Sequence, residues 1–247
     1  MTTSLTTTAV VRAENARKVY GTGETAVTAL GNVTLSIPNG HFTAIMGPSG
    51  SGKSTLMHCL AGLDSLTAGQ VFIGELELGG LSDRQLTQLR RDRIGFVFQA
   101  FNLLPTLSAL DNITLPITLA GAAPDRDWLE AVIATVDLGG RLSHRPAELS
   151  GGQQQRVAVA RALAGKPDIV FADEPTGNLD SRSGAEVLQF LRNAQETLHQ
   201  TIVMVTHDPV AASYADTAVF LADGSLVGSL DRPTAPAVLD YLKTLES

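Results

Sequence analysis

The sequence predicts an α/β fold with a parallel sheet at its centre, and three observations support this class. Through residues 169–221, apolar segments of strand length alternate with helix-length segments, which implies parallel strands covered by helices. Earlier in the chain, a glycine-rich loop separates an apolar segment from a helical one within residues 41–63. The 247 residues, 44% hydrophobic and 17% charged, are enough to bury a large core in an ordinary soluble protein.

The individual elements follow from local patterns. Short apolar or β-branched runs bounded by turn residues predict strands at residues 10–20, 25–37, 41–46, 94–98, 169–172, 201–206 and 217–221, and a hairpin at residues 70–78. A helix is expected after Pro124, because apolar residues from Trp128 to Val136 recur at helical spacing and proline suits a first helical turn. Further helices are predicted at residues 55–63, 81–91, 152–163, 183–198, 209–214 and 236–245, with a hairpin turn at Asp223-Gly224.

Composition and charge exclude several classes of protein. The net charge of −7 argues against a general nucleic-acid binder, so no nucleic-acid partner is expected. A local cluster of arginines is interrupted by acidic residues and is better explained as a solvated helix face (Arg84, Arg90, Arg91 and Arg93 with Asp83 and Asp92). The only cysteine, Cys59, rules out a disulfide framework and is expected to be a buried, inert thiol.

The N-terminal residues and the hydropathy of the chain predict its location in the cell. Residues 1–10 are predicted to form a flexible tail, because they lack the basic start and apolar core of a signal peptide. No run approaches the roughly 20 apolar residues that a membrane-spanning helix needs. The chain is therefore expected to be cytoplasmic, and any membrane role would depend on another chain.

The most specific motif is a phosphate-binding loop of the pattern G-x-x-x-x-G-K-[ST]. It reads Gly47-Pro48-Ser49-Gly50-Ser51-Gly52-Lys53-Ser54, with Thr55 continuing into the predicted helix. Glycines let successive backbone N–H groups point inward at a helix N-terminus, which forms an anion site. Lys53 would reach the β- and γ-phosphates, and the Ser54 hydroxyl would ligate Mg²⁺. A chance glycine-rich turn is the alternative, but the strand–loop–helix context favours binding of a nucleoside triphosphate.

Two carboxylates follow a second apolar strand. Asp173 and Glu174 come directly after residues 169–172, and ligand chemistry gathers at the carboxyl ends of parallel strands. Asp173 would support Mg²⁺ opposite Ser54, and Glu174 would act as the general base toward water. An isolated pair would be explained better as a solvated strand end. Beside an intact phosphate loop, the functional interpretation is favoured.

A second anion-binding helix start is predicted at Leu149-Ser150-Gly151-Gly152-Gln153. By composition, Ser150 could equally be a helix N-cap beside a glycine turn. The five residues nevertheless match the signature Leu-Ser-Gly-Gly-Gln, and from about Val11 to Gly228 the sequence resembles the ATP-binding-cassette (ABC) ATPase family, with its motifs in the family's order.

The resemblance implies roles that the residues alone do not. By resemblance, Tyr20 stacks on adenine, Gln99 senses Mg²⁺ and the γ-phosphate, Asp180 belongs to the D-loop of residues 177–180, and His207 touches the γ-phosphate. Without the resemblance, Tyr20 would be interpreted as an ordinary aromatic residue of a strand, and His207 would be interpreted as a surface residue. The implied fold is one domain over residues 11–247: a RecA-like P-loop NTPase core, an antiparallel β subdomain and a helical subdomain inserted at about residues 100–163.

The resemblance also implies partners. Family members hydrolyse ATP as head-to-tail dimers, so a second copy or a homologous cassette is expected. Three segments (residues 45–52, 95–105 and 173–180) are similar to the lipoprotein-release and macrolide-export group, of the MacB and LolD type. An integral-membrane permease would dock around Gln99–Leu104, which would place the chain on the inner face of the membrane.

The apolar residues after Gln99 are expected to form two groups, one exposed and one buried. We expect Phe101, Leu103 and Leu104 to lie in an exposed loop that receives the permease. The residues that follow are expected in the core of the helical lobe (Leu107, Leu110 and Ile113).

Other functions remain as alternatives. One is a cell-division type of cassette that regulates an extracytoplasmic hydrolase through its permease. A soluble, non-transport ABC ATPase is less favoured, because residues 99–149 are too few for the coiled coil of DNA-repair forms and only one cassette is present. A regulatory module without turnover is disfavoured by Glu174, Gln99 and His207, and a small GTPase by the lack of a guanine-reading Asn-Lys-x-Asp.

Overall fold

A computed structural model describes residues 9–245, and the predicted α/β class is confirmed. Residues 1–8 of the predicted tail lie outside the described residues. Ala9 and Val10 do not belong to a tail, because they form the start of the first strand: Ala9 pairs with Pro38, and the Val10 carbonyl oxygen accepts from the Gly74 N–H at 2.8 Å. The first strand therefore begins one residue before the predicted start at residue 10.

The strands form two sheets. Their bounds are β1 (Ala9–Tyr20), β2 (Val27–Pro38), β3 (Phe42–Met46), β4 (Ala68–Ile73), β5 (Leu76–Glu77), β6 (Ile94–Phe98), β7 (Ile169–Asp173), β8 (Thr201–Val205), β9 (Thr217–Ala222) and β10 (Ser225–Asp231). One sheet is antiparallel, with the order β2-β1-β4-β5. The other has the order β10-β9-β3-β8-β7-β6, parallel except for β10.

Helices account for the predicted periodic segments. Their bounds are α1 (Lys53–Leu60), α2 (Asp83–Arg93), α3 (Ala109–Leu119), α4 (Arg126–Thr135), α5 (Gly151–Ala164), α6 (Ser181–Leu198), α7 (Pro209–Ala212) and α8 (Ala235–Leu245). Within residues 9–245, no helix is both long enough and apolar enough to cross a bilayer.

Burial of the central strands explains the apolar runs that predicted the parallel sheet. Every residue of β3 and β8 is buried, as both lie inside the sheet, so these strands read as uninterrupted apolar runs. The core divides into two clusters. One joins the sheet to α3, α5 and α6, and the other joins it to α1 and the antiparallel sheet.

The helical lobe follows the prediction only in part. Ile113 is fully buried and Leu107 is half-buried, but Leu110 is 37% exposed, which contradicts its expected place in the core. The buried side of α3 is the stripe Ala109, Ile113 and Ile117, spaced four residues apart, and Leu110 lies beside this stripe, where α5 covers it only in part. Hydropathy alone does not say which side of α3 meets α5.

The predictions about Cys59 and the arginine cluster are confirmed. Cys59 is buried, and burial raises the pKa of its thiol to about 11, so it carries no reactive thiolate near neutral pH. On α2, Arg91 pairs with Asp92 and Arg93 with Asp168, so these arginines are occupied within the chain.

Candidate nucleotide-binding site

The phosphate loop connects β3 to α1 and depends on its glycines. Gly47 has φ 146°, and a Cβ there would lie 2.0 Å from the Leu221 carbonyl oxygen. Gly52 has φ 98°, and a Cβ there would lie 2.3 Å from the Ala29 carbonyl oxygen. Because both spaces are closed by backbone, any other residue would displace the loop.

Lys53 lies inside this loop. Its ammonium donates to the carbonyl oxygens of Gly47 at 2.9 Å and Pro48 at 2.8 Å. Burial lowers the pKa of Lys53, whereas the negative charges of Glu174 and Asp173 act to raise it. A buried cation thus faces two carboxylates across the space at the mouth of the loop.

A second polar group in the loop fits a phosphate. The Ser51 hydroxyl oxygen is buried and, among the residues that the structure describes, has no hydrogen-bond partner. Buried hydroxyl groups normally have partners, and a phosphate oxygen is a strong acceptor. Together with the lysine and the backbone cradle, Ser51 makes the loop suited to a polyphosphate.

The carboxyl end of β7 supplies the acidic pair. Asp173 stands in register between Phe98 of β6 and Val205 of β8. Burial raises the pKa of Asp173, and the adjacent Glu174 charge adds to this, while His58 and Lys53 oppose it. Asp173 is therefore a carboxylate whose charge is destabilised by its surroundings, as expected of a group that gains from a cation.

Glu174 and His207 meet although they are 33 residues apart in sequence. Glu174 has φ 43°, its backbone N–H donates to the Val205 oxygen at 2.9 Å, and its Oε1 lies 3.0 Å from Nδ1 of His207. The left-handed backbone at Glu174 is unusual for a residue with a side chain and is typical of functional sites. The contact gives the carboxylate one fixed partner, with 30% of its side chain still exposed.

Gln99 lies at the same edge of the sheet but turns toward residues 177–180. Its Nε2 donates to Oδ1 of Asn178 at 3.1 Å, and Nδ2 of Asn178 donates to the Gln99 carbonyl oxygen at 3.1 Å. A Cβ on Gly177 would lie 2.8 Å from Nε2 of Gln99, so a larger residue there would push the Gln99 side chain aside. Sequence reasoning missed Asn178 as a partner, because the pair is 79 residues apart.

The signature segment forms the start of α5. Ser150 is the N-cap: its hydroxyl accepts from the Gln153 N–H at 3.3 Å, and Gln153 Oε1 accepts from the Ser150 N–H at 3.0 Å. The N-cap interpretation of Ser150 is thus confirmed. Its exposure leaves the glycine-rich helix start open to a second role. Asp180 likewise caps α6, and the hydrogen bond from the Ser183 N–H, with that from Arg182, lowers the pKa of its carboxyl.

Gln155 is a residue that the sequence did not single out. It is fully buried in α5, and its amide donates to the carbonyl oxygens of Phe98 at 3.0 Å and Pro175 at 2.6 Å. These two carbonyls lie beside Gln99 and Glu174, so Gln155 connects the signature helix to both. The only signal in the sequence was its place as the third of three successive glutamines.

Tyr20 ends β1 with 43% of its surface exposed, and its hydroxyl donates to Oδ2 of Asp64 at 2.6 Å. The ring is therefore held by its hydroxyl and accessible to a ligand. Through Asp64, Tyr20 is joined to the loop that follows α1, the helix that begins at the phosphate loop.

Comparison with known proteins identifies relatives along most of the chain. Residues 30–177 match the family model described as ABC transporter. The chain is 45% identical over 224 residues to an ABC transporter ATP-binding protein of Methanocaldococcus jannaschii, MJ0796, covering 88% of this chain and 95% of that protein. It is 47% identical over 220 residues to the macrolide export ATP-binding/permease protein MacB of Marinobacter nauticus, of which it spans 34%.

Solved structures agree. A dimeric, post-hydrolysis structure of MJ0796 bound to ADP and Pi has a TM-score of 0.79 and 43% identity, over 90% of this chain and 98% of that one. CbiO1 of Clostridium perfringens, part of an ABC transporter complex, has a TM-score of 0.82 at 25% identity. The match covers 96% of this chain and 92% of that one.

Proposed function

The chain belongs to the ABC transporter family as an ATP-binding cassette, an ATPase, and we propose that it powers a separate membrane permease by hydrolysing Mg-ATP in a dimer. The observation that carries the chemistry is one cluster: the buried Lys53 in its glycine loop, facing Asp173 and Glu174, with Glu174 paired to His207.

In this proposal the residues divide the work. The backbone of residues 47–52 and the ammonium of Lys53 hold the β- and γ-phosphates. Thr55, two residues further along α1, also contacts the nucleotide. The oxygens of Ser54, Asp173 and Gln99 are donors of the type that Mg²⁺ prefers. Among the described residues, no group of three or more His, Cys, Asp or Glu is placed to hold a metal ion. Bound Mg²⁺ would neutralise charge on the phosphates.

The proposed chemistry is water attack on the γ-phosphorus. The carboxylate of Glu174 accepts a proton from water, the water oxygen bonds to phosphorus, and the bond to the β–γ bridging oxygen breaks to leave ADP and phosphate. His207 holds the Glu174 side chain through Nδ1 and can reach the γ-phosphate from the same edge of the sheet. Lys53 stabilises the charge on the phosphate oxygens.

A second cassette would complete each site. Ser150 and Gly151 stand at an exposed helix start, and within residues 9–245 the hydrogen bonds of Ser150 go to Gln153 and not to the phosphate loop. A head-to-tail copy would bring Ser150, Gly151 and Gln153 to the partner's ATP. Leu149 and Gly152, which were expected to contact the nucleotide, are buried and can only support this helix start from within. The dimeric structure of MJ0796 bound to ADP and Pi supports a dimer of cassettes.

The permease would dock on the loop after Gln99, which would hold the cassette at the inner face of the membrane. Leu104 is 45% exposed and Phe101 is half-buried, while the Arg161 guanidinium donates to the Phe101 and Asn102 carbonyl oxygens and keeps the loop in place. Leu103 departs from the expectation of an exposed side chain, because it packs against the core. Phe101 and Leu104 therefore remain as the proposed contacts.

The docking proposal is tested with the double variant Phe101→Ala, Leu104→Ala. We expect it to fail to co-purify with a candidate permease that the wild-type chain binds, while its melting temperature and its basal ATPase stay close to wild type. Leu239→Ala on α8, where the leucine is 46% exposed, is the matched control and should bind normally. Full retention of the permease would refute the docking site, and a large drop in melting temperature would assign the two residues to the core.

A further inference from the structure

The side chain of Tyr20 is held by an ion pair to which the proposed nucleotide chemistry assigns no role. The hydroxyl of Tyr20 donates to Oδ2 of Asp64 at 2.6 Å, and Oδ1 of Asp64 accepts from the Lys18 ammonium at 2.6 Å. The same ammonium donates to the Ser65 carbonyl oxygen at 2.6 Å. Lys18 is almost entirely buried, so its side chain is committed to this arrangement.

The ammonium of Lys18 also lies over the ring of Tyr20, 4.8 Å from its centroid. Residues two apart in a strand project to the same face, so Lys18 and Tyr20 point together toward the loop after α1. A cation over an aromatic face is attracted to the ring. Lys18 lies over one face of the ring, and 43% of the surface of Tyr20 stays exposed, so part of the residue is accessible to a planar ligand.

Backbone contacts join the same loop to β1. The Thr67 N–H donates to the Arg17 oxygen at 2.8 Å, and the Val19 N–H donates to the Thr67 hydroxyl at 2.9 Å. The loop that follows α1 is therefore attached to β1 at the residues on either side of Lys18. These contacts fix the distance between the backbone segments that carry Lys18 and Asp64.

The phosphate loop lies nearby. Lys18 pairs across the sheet with Leu30 of β2, and a Cβ built on Gly52 would lie 3.2 Å from the Leu30 side chain. The helix that begins at the phosphates thus continues, through its C-terminal loop, to the group that orients the ring.

We infer that Asp64 and Lys18 are positioning residues for the nucleotide base, holding the Tyr20 ring ready to stack before the nucleotide binds. This deepens the proposed function and rests on the stacking role proposed for Tyr20. Ordering a free tyrosine side chain on binding costs affinity, and a side chain that is already ordered avoids this cost. Because every base has a π-face, the device improves binding of the nucleoside without selecting adenine over guanine.

The charge state of the carboxylate is consistent with this role. Burial acts to raise the pKa of Asp64, but the hydrogen bonds from Lys18 and Tyr20 outweigh it and bring the pKa below its usual value. Asp64 is therefore an ionised acceptor near neutral pH. The alternative is that the ion pair only attaches β1 to the loop after α1.

The test compares two ligands that share phosphates and differ in the nucleoside: Mg-ADP and Mg-pyrophosphate, measured by calorimetry. Tyr20→Ala should weaken ADP about 5- to 150-fold, the range for loss of a base-stacking aromatic group. Tyr20→Phe keeps the ring and removes its bond to Asp64, and should weaken ADP about 2- to 12-fold. Pyrophosphate binding should change less than about 2-fold in both variants.

The ion pair is removed as a unit in Lys18→Met, Asp64→Ala, so that no buried charge is left unpaired. This variant should lose ADP affinity as Tyr20→Phe does, and adding Tyr20→Phe to it should cost little more, because both remove the same bond. Asp92→Ala, which breaks the exposed Arg91–Asp92 pair on α2, is the control and should bind both ligands normally.

The outcomes test the stacking role of Tyr20 and the positioning role of the ion pair separately. Normal ADP affinity in Tyr20→Ala would refute the stacking role and the inference with it. Loss in Tyr20→Ala with normal affinity in Tyr20→Phe would refute the positioning role and leave stacking intact. Equal losses for ADP and pyrophosphate would also overturn the inference, because they would show that the ion pair supports the phosphate loop. Should the ion-pair variant fail to fold, Tyr20→Phe still decides the question.

Discussion

Replacement of Glu174 by glutamine separates binding from chemistry. The glutamine side chain has the same size and still forms hydrogen bonds, but it cannot accept a proton from water. The backbone conformation at this residue is held by the hydrogen bond to Val205, which a side-chain change does not touch. Because the carboxylate is 30% exposed and has His207 as its partner, the melting temperature should change little.

The size of the effect follows from the surroundings of Glu174. A positioned general base contributes about 10²- to 10⁴-fold to a rate, which is roughly 2.7 to 5.4 kcal/mol of barrier. The carboxylate next to it in sequence is Asp173, and burial raises the pKa of Asp173. In our proposal Asp173 is also committed to the metal. It does not replace the lost base, so we expect a loss of turnover of at least about 100-fold.

Two assays measure the consequence. Phosphate release at saturating Mg-ATP should fall in Glu174→Gln, while size-exclusion chromatography with Mg-ATP should show more dimer than for wild type, because the bound ATP persists. Glu196→Gln, which weakens an exposed pair on α6, is the control and should behave as wild type. A loss of turnover below tenfold would refute Glu174 as the base. A variant that binds ATP but stays monomeric at high concentration would refute the dimer for the isolated chain.

Three further predictions concern the loop, the signature and stability. Lys53→Ala should lower ATP turnover at least about 100-fold, measured on protein freed of contaminating ATPases, and undiminished activity would refute the assignment of the loop. Ser150→Arg should abolish the ATP-dependent dimer in size-exclusion chromatography at a cost of about 1 kcal/mol for the lost N-cap; an intact dimer would exclude the signature from the interface. The Asp216 carboxylate accepts from Arg192 at 2.6 Å and from the Phe42 N–H at 2.9 Å, and although burial opposes them, these bonds lower its pKa. Its contribution, about 1 to 3 kcal/mol, is therefore present above the unfolded-state pKa of about 3.9 and lost as pH falls through the lower folded-state value. Urea midpoints of wild type and Asp216→Asn should differ at pH 7 and converge toward pH 3; a constant difference would contradict this assignment.

Several features of the site were predictable because their chemistry is contiguous in sequence. The phosphate loop needs glycines at fixed spacing, and both Gly47 and Gly52 have the positive φ that this spacing implies. The acidic pair was placed from the apolar strand before it, and the structure puts Asp173 at that strand end. The roles of His207 and Tyr20 came from resemblance alone, and no local pattern distinguishes either from a surface residue.

Contacts between distant residues were not predictable. The pairing of Gln99 with Asn178 joins residues 79 apart, and that of Tyr20 with Asp64 joins residues 44 apart. Leu110 was expected in the core and is exposed, because composition shows that a segment is apolar without showing which side meets a neighbouring helix. Leu103 packs inward from a loop expected to be exposed, for the same reason.

The sequence by itself determined which local structures form and which chemical groups they carry. Backbone geometry at glycines, strand and helix periodicity, and the order of the motifs are properties of neighbouring residues. The tertiary structure decided how those groups face one another: that Lys53 lies opposite Asp173 and Glu174, that Gln155 connects the signature helix to both strand ends, and that Lys18 and Asp64 orient Tyr20. The physical reason is that hydrogen bonds and charge interactions act over a few ångströms of space, and only the folded sheet brings these distant parts of the chain within that range.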